Sequence, residues 1–277
     1  MPELPEVETV LRGLAPVLQN NSITNVQLNR ADLRIPFNSS LIEDISNSPV
    51  HRMKRRAKYI LIEFENKKIL VIHLGMSGVI NIISSDQAYK SQKHDHVVLT
   101  LKDKTKLVYN DPRRFGMIFS IDAQEETTHK AFAHLGVEPL SNHFSGAFLK
   151  EKLGKKETSI KQALLDQKNI VGVGNIYACE ALHMAKIRPT CKTSRLTKQQ
   201  FENLAQAVQT VLIKAIEAGG SSLKDFRHTD GQMGYFQHNF LVYDREGQAC
   251  KQCNTEKAIQ RITQSGRSTF YCIACQK

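Results

Sequence analysis

The chain has 277 residues, of which 41% are apolar and 23% charged, so it can bury a core and is not expected to be disordered. Its length predicts about two domains. No stretch approaches the roughly 18 consecutive apolar residues of a membrane span, so such a span is excluded. The first residues, MPELPEVE, are acidic and lack the apolar core of a secretory signal, so a cytoplasmic location is expected.

The charge balance indicates an anionic partner. With 38 Lys and Arg against 27 Asp and Glu, the net charge is +11, and nucleic acid is the first candidate partner. The excess is uneven, because residues 1–137 hold 18 basic and 15 acidic side chains whereas residues 138–277 hold 20 and 12. We therefore expect the C-terminal half to carry most of the salt-dependent affinity.

A short helix is predicted at the N-terminus. Pro5 suits a first helical turn, where nearby glutamates also favour the positive end of the helix dipole. Apolar residues recur at helical spacing and predict one buried face, formed by Val7, Val10, Leu11 and Leu14. Gly13 and Pro16 are expected to end this helix.

The pattern then changes to short apolar runs separated by turn residues. Between Ile23 and Phe119 these runs include 59–65, 68–74, 79–83, 96–101 and 106–110. Short strands at this spacing, without long helices between them, predict a sandwich or barrel of antiparallel strands.

From about residue 130 the chain is predicted to be helical. Two shorter helices are expected at 160–165 and 176–184, joined through residues 171–175. A long helix follows a capping box at Thr197–Gln200 and is expected to end at Gly219 and Gly220.

The strongest single motif is the cysteine pattern C-x2-C-x18-C-x2-C near the C-terminus. It comprises Cys250, Cys253, Cys272 and Cys275. Four thiolates at this spacing favour one closed, structural Zn²⁺ site, with the intervening residues forming a β-hairpin. Two disulfides or a redox pair are the alternatives, and neither is typical of a basic cytosolic protein. Cys179 and Cys191 have no partner spacing.

Two further groups of residues could face phosphate or bases. Five basic residues lie within seven positions, immediately before a predicted strand: Arg52, Lys54, Arg55, Arg56 and Lys58. Such a run is usually a solvated face. Met76 and Phe115 lie in predicted loops, at 73–78 and 110–116, where apolar side chains are apt as wedges entering a base stack. His94 and His96 share one strand face, and phosphate contact or packing is favoured there over a metal pair.

Six segments, taken together, resemble the bacterial formamidopyrimidine-DNA glycosylases from end to end. They are MPELPEVETV (1–10), HLGMSG (73–78), KHDH (93–96), NDPRRFG (110–116), GVGNIYACEAL (172–182) and GRSTFYCIACQK (266–277). In place of the proline that the family often has after the third cysteine, this chain has Ile273, which leaves the four ligands intact.

The resemblance implies an α+β multidomain fold. It comprises an N-terminal catalytic antiparallel β-sandwich with flanking helices (1–135), a helix–two-turn–helix DNA-binding domain (136–238) and a β-hairpin zinc finger (239–277). It also implies a monomeric base excision repair enzyme that acts on double-stranded DNA containing oxidised purines, such as 8-oxoguanine and formamidopyrimidines, or abasic sites.

The same resemblance implies four catalytic residues. Pro2, freed by removal of Met1, attacks the sugar C1′ to form a Schiff base, and Glu3 is the general acid/base. Lys58 assists phosphate positioning and β-elimination, and Arg267 assists δ-elimination. In isolation, Pro2 and Glu3 would be interpreted only as helix-start residues.

DNA contacts also carry over from the family. Met76, Arg113 and Phe115 fill the space left by the flipped base. Phosphate contacts are expected at His94, Lys156 and Asn175, with His73 and Lys161 as weaker candidates. Residues 221–236 match the loop that closes over the extruded base.

Two alternative functions are considered. Endonuclease VIII-like glycosylases prefer oxidised pyrimidines, but they typically have glycine where this chain has Leu4. A non-catalytic, zinc-dependent protein that binds damaged DNA would account for the charge and the cysteines but not for Pro2 and Glu3.

Overall fold

The computed structural model describes residues 2–222, 229 and 231–277, and these residues form two compact units. The first unit comprises Met1–Ala133 and Ala218–Tyr235, and the second comprises His134–Glu217 and Phe236–Lys277. This grouping differs from the division at 1–135, 136–238 and 239–277, which stays a prediction. No helix among the described residues is long and apolar enough to cross a membrane.

The first unit is built on two antiparallel four-stranded sheets. One has the order β2-β3-β4-β8, from Val50–Arg56, Tyr59–Phe64, Lys68–His73 and Met117–Asp122. The other has the order β1-β6-β7-β5, from Ile23–Leu28, Asp95–Leu101, Lys106–Asn110 and Val79–Ile83. Both sheets bury their apolar residues in one core, which they share with helix α1 (Leu4–Leu18) and the short helix α2 (Leu41–Ile45). The predicted antiparallel sandwich is confirmed.

Helix α1 runs further than the sequence predicts. It continues through Gly13 and Pro16 to Leu18. Leu14 and Leu18 are fully buried, and their burial outweighs the single backbone hydrogen bond that Pro16 cannot donate. A Cβ on Gly13 would lie 2.4 Å from Thr229 Oγ1, so glycine serves a close approach here rather than a helix end.

The second unit contains four helices and a hairpin among its described residues. They are α3 (Gly146–Leu153), α4 (Ile160–Leu165), α5 (Asn175–Met184), α6 (Lys198–Glu217), β9 (Ile259–Gln264) and β10 (Arg267–Cys272). Helix α6 packs against α3 and α5, and α5 also packs against β10. The predicted capping box is present, since Gln200 N donates to Thr197 Oγ1 at 3.2 Å and Thr197 N to Gln200 Oε1 at 2.9 Å.

Candidate active site and metal centre

Pro2 and Glu3 are buried at the start of α1. Glu3 is the N-cap residue, and it forms a capping box with Glu6, whose Oε2 accepts a hydrogen bond from Glu3 N at 2.8 Å. Only 3% of Glu3 is exposed. A carboxyl group next to the Pro2 nitrogen along the chain is therefore held in an environment shielded from water.

Glu6 connects α1 to the segment that follows Glu217. Its Oε1 accepts hydrogen bonds from Ser221 N at 2.8 Å and Ser221 Oγ at 3.1 Å. Gly220 adopts a left-handed φ of 75°, and a Cβ there would meet Glu6 Oε1 at 3.0 Å, so a side chain would disturb this junction. The sequence analysis assigned the glutamates near Pro5, of which Glu6 is one, only to the helix dipole. Nothing in the local sequence indicates its distant partner.

The predicted closing loop, residues 221–236, falls partly outside the described residues. At its ends, Gly234 N donates to Ser222 Oγ at 2.9 Å, and Ser221 and Tyr235 form an antiparallel bridge. Residues 223–228 and 230 lie outside the description, so closure over a base stays a prediction. The described ends lie in the same compact unit as Pro2 and Glu3.

Lys58 lies in the tight turn between β2 and β3. Ala57 has a left-handed φ of 52°, and Arg56 pairs with Tyr59 across the turn. Only 7% of Lys58 is exposed. Its positive charge acts on His73, whose Nδ1 accepts a hydrogen bond from Gly75 N at 3.0 Å. Burial, reinforced by the charges of Lys58 and Arg34, lowers the pKa of His73 to about 4, so the ring is neutral near pH 7.

Two adjoining loops of the first unit each present an exposed apolar side chain, Met76 on one and Phe115 on the other. Met76 is 36% exposed and Phe115 is 44% exposed, and the Arg113 guanidinium lies 5.0 Å from the centre of the Phe115 ring. The loops are in close contact, because a Cβ on Gly75 would lie 2.4 Å from the backbone of Phe115 and Gly116. Gly75 also has a left-handed φ of 66°. The structure thus brings together the three side chains predicted to fill a gap in a base stack.

The fully buried carboxylate of Asp111 holds both loops. Its Oδ1 accepts from Ser77 Oγ at 2.6 Å, in the Met76 loop, and its Oδ2 accepts from Gly116 N at 2.9 Å, beyond Phe115. Tyr109 OH also donates to Oδ2 at 3.3 Å. Sequence reasoning missed this residue, although an acidic side chain directly after a predicted apolar strand was a signal.

The basic run lies immediately before strand β3, as predicted, with its first four members on β2 and Lys58 in the turn that follows. Its side chains pair with carboxylates: Arg52 Nε is 2.5 Å from Glu63 Oε2, and Arg55 Nε is 3.0 Å from Glu8 Oε2. Lys54 pairs with Glu126 in the same way. These three ion pairs indicate that much of the positive charge of the run is neutralised within the first unit.

His94 and His96 lie together at the start of β6, with ring centres 6.2 Å apart. His96 is buried, and its Nε2 lies 2.9 Å from the carbonyl oxygen of Asp111. His94 is half-buried, so it has the greater exposure to an external partner.

In the second unit, the predicted phosphate-contacting residues differ in exposure. Lys156 is exposed, and its Nζ donates to Asn169 Oδ1 at 2.9 Å. Asn175, at the start of α5, donates to Ser268 O at 2.9 Å, while its Oδ1 is buried without a partner among the described residues. Arg267 is exposed beside the hairpin turn, where Ser265 and Gly266 have left-handed φ angles of 48° and 72°.

Lys161 requires a correction. It is fully buried, and its Nζ donates to Thr269 Oγ1 at 2.6 Å and to Ser268 O at 3.2 Å. Such burial leaves no exposed ammonium for a phosphate group. We therefore assign Lys161 to support of the hairpin instead.

The four cysteines of the repeated C-x2-C motif converge at the base of the hairpin. Cys250 Sγ lies 3.8 Å from Cys275 Sγ, and Cys253 Sγ lies 3.7 Å from Cys272 Sγ. All four are free thiols, so the alternative of two disulfides is not what the structure shows.

A histidine that the sequence analysis missed joins this cluster. His183 is fully buried on α5, and its Nε2 lies 3.4 Å from Cys250 Sγ. The ligand atoms of His183, Cys250, Cys272 and Cys275 all lie within 4.8 Å of one another. No spacing rule links a helical histidine to cysteines some 70 residues away, so only the tertiary structure could reveal it.

The comparisons with known proteins decide the family. The model of the formamidopyrimidine-DNA glycosylase N-terminal domain matches residues 1–118, and that of the formamidopyrimidine-DNA glycosylase H2TH domain matches residues 135–227. The formamidopyrimidine-DNA glycosylase of Beijerinckia indica is 46% identical over 288 aligned residues, covering 100% of both chains. The chain belongs to the formamidopyrimidine-DNA glycosylase family. It is therefore an enzyme of the DNA glycosylase class.

Other members of the family agree over the full chain. The formamidopyrimidine-DNA glycosylase of Ruegeria pomeroyi is 46% identical and is covered completely. The MutM (Fpg) crystal structure from Thermus thermophilus has a TM-score of 0.87 and 35% identity, over 99% of this chain and 98% of that one. A Lactococcus lactis Fpg in complex with abasic-site DNA has a TM-score of 0.90 and 31% identity, over 99% of both chains.

The residues of the cysteine cluster fit a metal ion in this family member. Tetrahedral zinc with four sulfur ligands places those ligands about 3.8 Å apart, given Zn–S bonds of about 2.3 Å. The two Sγ–Sγ distances of 3.7 and 3.8 Å match that spacing. Thiolate sulfur and imidazole nitrogen are both donors that bind zinc well, so the donor set present here suits a zinc ion.

Glu180 ties α5 to the segment leading into this cluster. Its carboxylate accepts hydrogen bonds from Leu241 N, Val242 N and Tyr243 N at 2.8–2.9 Å. Burial nevertheless raises the pKa of Glu180. This contact, too, was missed at the level of the sequence.

Exchanging Asp111 for asparagine should destabilise this family member and loosen the two exposed loops. The new side-chain amide would bring N–H groups against the Ser77 hydroxyl or the Gly116 N–H, leaving buried donors unpaired. We expect a loss of about 2–4 kcal/mol in the free energy of unfolding, measured by urea denaturation. Asp86→Asn, at an exposed site, is the control and should change stability by less than about 0.5 kcal/mol. Equal stability of the two variants would contradict this role of Asp111.

The low pKa of His73 makes stability depend on pH. Because the folded-state pKa of about 4 lies below the ordinary value of 6.5, the unfolded chain takes up a proton first as the pH falls. His73 thus stabilises the fold above pH 6.5, and this contribution is lost between about pH 6.5 and pH 4. Its full size is roughly 3 kcal/mol, at about 1.4 kcal/mol for each tenfold change in proton affinity.

His73→Gln should flatten this dependence. Glutamine retains an acceptor for Gly75 N but does not titrate, so the fall in unfolding free energy between pH 6.5 and pH 4 should be smaller than in the unchanged protein. His143→Gln, at an exposed position, is the matched control and should leave the profile unchanged. Parallel profiles for His73→Gln and the unchanged protein would refute the assignment.

Proposed function

We propose that this chain excises oxidised purines, including 8-oxoguanine and formamidopyrimidines, from double-stranded DNA in base excision repair, and then cleaves the abasic site by β,δ-elimination. The products are strands ending in 5′ and 3′ phosphates. The observation that carries the proposal is the full-length family match together with the buried Pro2–Glu3 pair at the start of α1. Lactococcus lactis Fpg, 31% identical, forms a complex with abasic-site DNA, and a mutant of that protein forms one with Fapy-dG DNA, which supports these substrates.

Pro2 is the proposed nucleophile. Once Met1 is removed, its nitrogen is a secondary amine, which can form an iminium ion directly with the sugar C1′. An α-amino group titrates near 8, so a useful fraction is neutral and nucleophilic at physiological pH. The burial of Pro2 supports this role, because a shielded amine is poorly solvated in its charged form.

Glu3 and Lys58 are proposed to act with Pro2 in the first unit. The Glu3 carboxyl group would donate its proton to the sugar oxygen or the departing base, and the resulting carboxylate would later accept a proton as a base. Lys58 would position the phosphate and assist β-elimination. Both side chains are nearly buried, so neither is a freely solvated surface charge.

Arg267 is proposed to assist δ-elimination from the hairpin. Arg267 is exposed beside a tight turn, which fixes the position of its backbone. Its planar guanidinium can therefore form a bidentate contact with a phosphate. The proposed phosphate contacts of the second unit are Lys156 and Asn175, and those of the first are His94 and His73.

Met76, Arg113 and Phe115 are proposed to occupy the gap that the flipped nucleotide leaves. The pair of apolar side chains can stack against neighbouring bases, and Arg113 would face the base opposite the lesion. Their joint exposure on two mutually packed loops supports this arrangement.

One structural zinc ion is proposed at Cys250, Cys253, Cys272 and Cys275. When bound, it would cross-link the base of the hairpin and supply no chemistry to the reaction. We further propose a monomer with domains at 1–135, 136–238 and 239–277, acting in the cytoplasm at the nucleoid, where its DNA substrate lies.

Borohydride trapping tests the proposal. The zinc-loaded protein is incubated with a duplex containing 8-oxoguanine opposite cytosine, or with one containing thymine glycol, and borohydride is added to reduce any Schiff base. We expect a covalent adduct at Pro2 with the 8-oxoguanine duplex. Preferential trapping on thymine glycol would favour an endonuclease VIII-like specificity, and no adduct on either duplex would leave only a non-catalytic binding protein.

A further inference from the structure

The metal centre is surrounded by five side chains of ligand type, one more than a tetrahedral ion requires. Cys250 and Cys272 are buried, Cys275 is half-buried, and Cys253 is exposed. His183 is the fifth member and is fully buried. The cluster therefore combines one solvent-facing thiol with an interior imidazole.

The interior set is complete without the exposed cysteine. The ligand atoms of His183, Cys250, Cys272 and Cys275 lie within 4.8 Å of one another. Zn–S bonds of about 2.3 Å and Zn–N bonds of about 2.0–2.1 Å place the ligand atoms of a tetrahedral site about 3.5–3.8 Å apart. His183 Nε2 already lies 3.4 Å from Cys250 Sγ, so only a modest contraction of the other distances is needed.

His183 is held in this position by its helix. One turn earlier on α5, Cys179 packs in the apolar cluster formed with Val242, Ile259 and Phe270, and Glu180 binds three backbone N–H groups of residues 241–243. The imidazole is thus fixed against the cluster before any metal binds. A rigid donor of this kind loses little side-chain entropy on ligation.

The second ring nitrogen of His183 explains why a cysteine thiolate is preferred to this histidine as a zinc ligand. Nδ1 is buried without a hydrogen-bond partner among the described residues. Ligation through Nε2 would move the ring proton to Nδ1 and leave a buried N–H unpaired, which is unfavourable. With its proton on Nε2, the ring can instead donate to the Cys250 thiolate.

We propose that His183 is a reserve zinc ligand. While the Cys253 thiolate is intact, four sulfurs hold the ion and His183 donates a hydrogen bond to Cys250. When Cys253 is chemically blocked, its bond to the metal breaks, the His183 ring proton moves from Nε2 to Nδ1, and Nε2 takes the vacated position. The inference rests on the metal centre proposed above.

Alkylation of the folded protein tests this exchange. Iodoacetamide forms an S–C bond at Cys253 Sγ and releases iodide, so one thiolate is lost without refolding the chain. The zinc-loaded protein carries Cys191→Ser, because Cys191 is half-buried, and the modified cysteine is identified by peptide mass spectrometry. We expect one adduct at Cys253 and retention of the zinc, whereas the same adduct in a His183→Phe background releases one zinc per chain to a chromogenic indicator.

Cobalt spectroscopy supplies a second readout. In Co²⁺-loaded Cys253→Ser protein, we expect thiolate-to-cobalt absorption reduced by about a quarter and a retained tetrahedral d–d band, as three sulfurs and one nitrogen require. The band should be lost when His183→Phe is added. His143→Phe, at an exposed position, is the matched control and should change neither result.

The outcomes separate the two proposals. Equal zinc release from the alkylated proteins with and without His183→Phe would overturn the reserve-ligand role, and so would a tetrahedral band that survives when Cys253→Ser and His183→Phe are combined. Absence of bound metal from the unmodified protein would instead show that the metal centre itself was wrongly proposed.

Discussion

Glu3→Gln is expected to slow excision of 8-oxoguanine at least about a hundredfold, while affinity for the lesion duplex stays within about threefold. The amide occupies the same volume and can still accept the hydrogen bond of the capping box, so α1 should begin as before. It cannot release a proton to the sugar oxygen or the departing base. Single-turnover excision, followed on a labelled duplex, measures the rate, and fluorescence anisotropy measures the affinity.

Glu8→Gln is the matched control for this substitution. Glu8 lies on the same helix, where its carboxylate pairs with Arg12 and Arg55 at 3.0 Å, and it has no proposed catalytic role. Its rate should stay within about threefold, because Glu8 has no proposed contact with the reacting atoms and glutamine keeps the volume of its side chain. Pro2→Gly should in addition reduce borohydride trapping more than about tenfold, because a flexible primary amine replaces the fixed secondary amine. Equal excision rates for the Glu3→Gln and Glu8→Gln proteins would remove Glu3 from the mechanism.

Removal of zinc is expected to reduce affinity for DNA at least about a hundredfold. The hairpin of β9 and β10 has a small apolar cluster, and a two-stranded hairpin is marginal in water without a further cross-link. Metal binding therefore supplies much of its folding free energy. When the hairpin is unfolded, the backbone position of Arg267 is no longer fixed. Lys161 then loses its hydrogen bonds to Ser268 and Thr269, and Asn175 loses its hydrogen bond to Ser268. Fluorescence anisotropy with an abasic-analogue duplex measures the loss.

Return of zinc to the protein and two cysteine substitutions provide the controls. Stoichiometric zinc returned to the chelated protein should restore the affinity. Cys272→Ser should reproduce the loss, whereas Cys191→Ser, which changes a half-buried thiol outside the cluster, should not. Undiminished binding by the metal-free protein would contradict the structural role of zinc.

The sequence predicted most of the fold because local signals agreed with the tertiary packing. The alternating runs became strands of the sandwich, and the Thr197–Gln200 capping box begins α6 where expected. The end of α1 was wrong because burial of Leu14 and Leu18 overrides the local effects of Gly13 and Pro16. Local propensity has no information about such distant packing partners.

The candidate site likewise contains some features that the sequence predicts and others that it does not. The cysteine spacing, the exposed Met76 and Phe115 loops and the hairpin turn beside Arg267 could all be predicted, because each depends on a short segment. The burial of Lys161 against the hairpin could not, because the contact joins residues more than a hundred positions apart. Asp111 and Glu6 were missed as anchoring residues for the same reason, since each also accepts a hydrogen bond from a distant segment, at Ser77 and Ser221 respectively.

The amino-acid sequence by itself therefore determined the family, the order of the elements and the cysteine pattern of the candidate metal site, since these follow from residue type and local spacing. Its charge of +11 indicated nucleic acid, but it did not show which basic side chains are available to a partner. Only the tertiary structure decided that Arg52 and Arg55 are paired, that Lys161 is buried and that His183 lies against Cys250. The physical reason is that burial and pairing depend on which distant segments the hydrophobic core brings together.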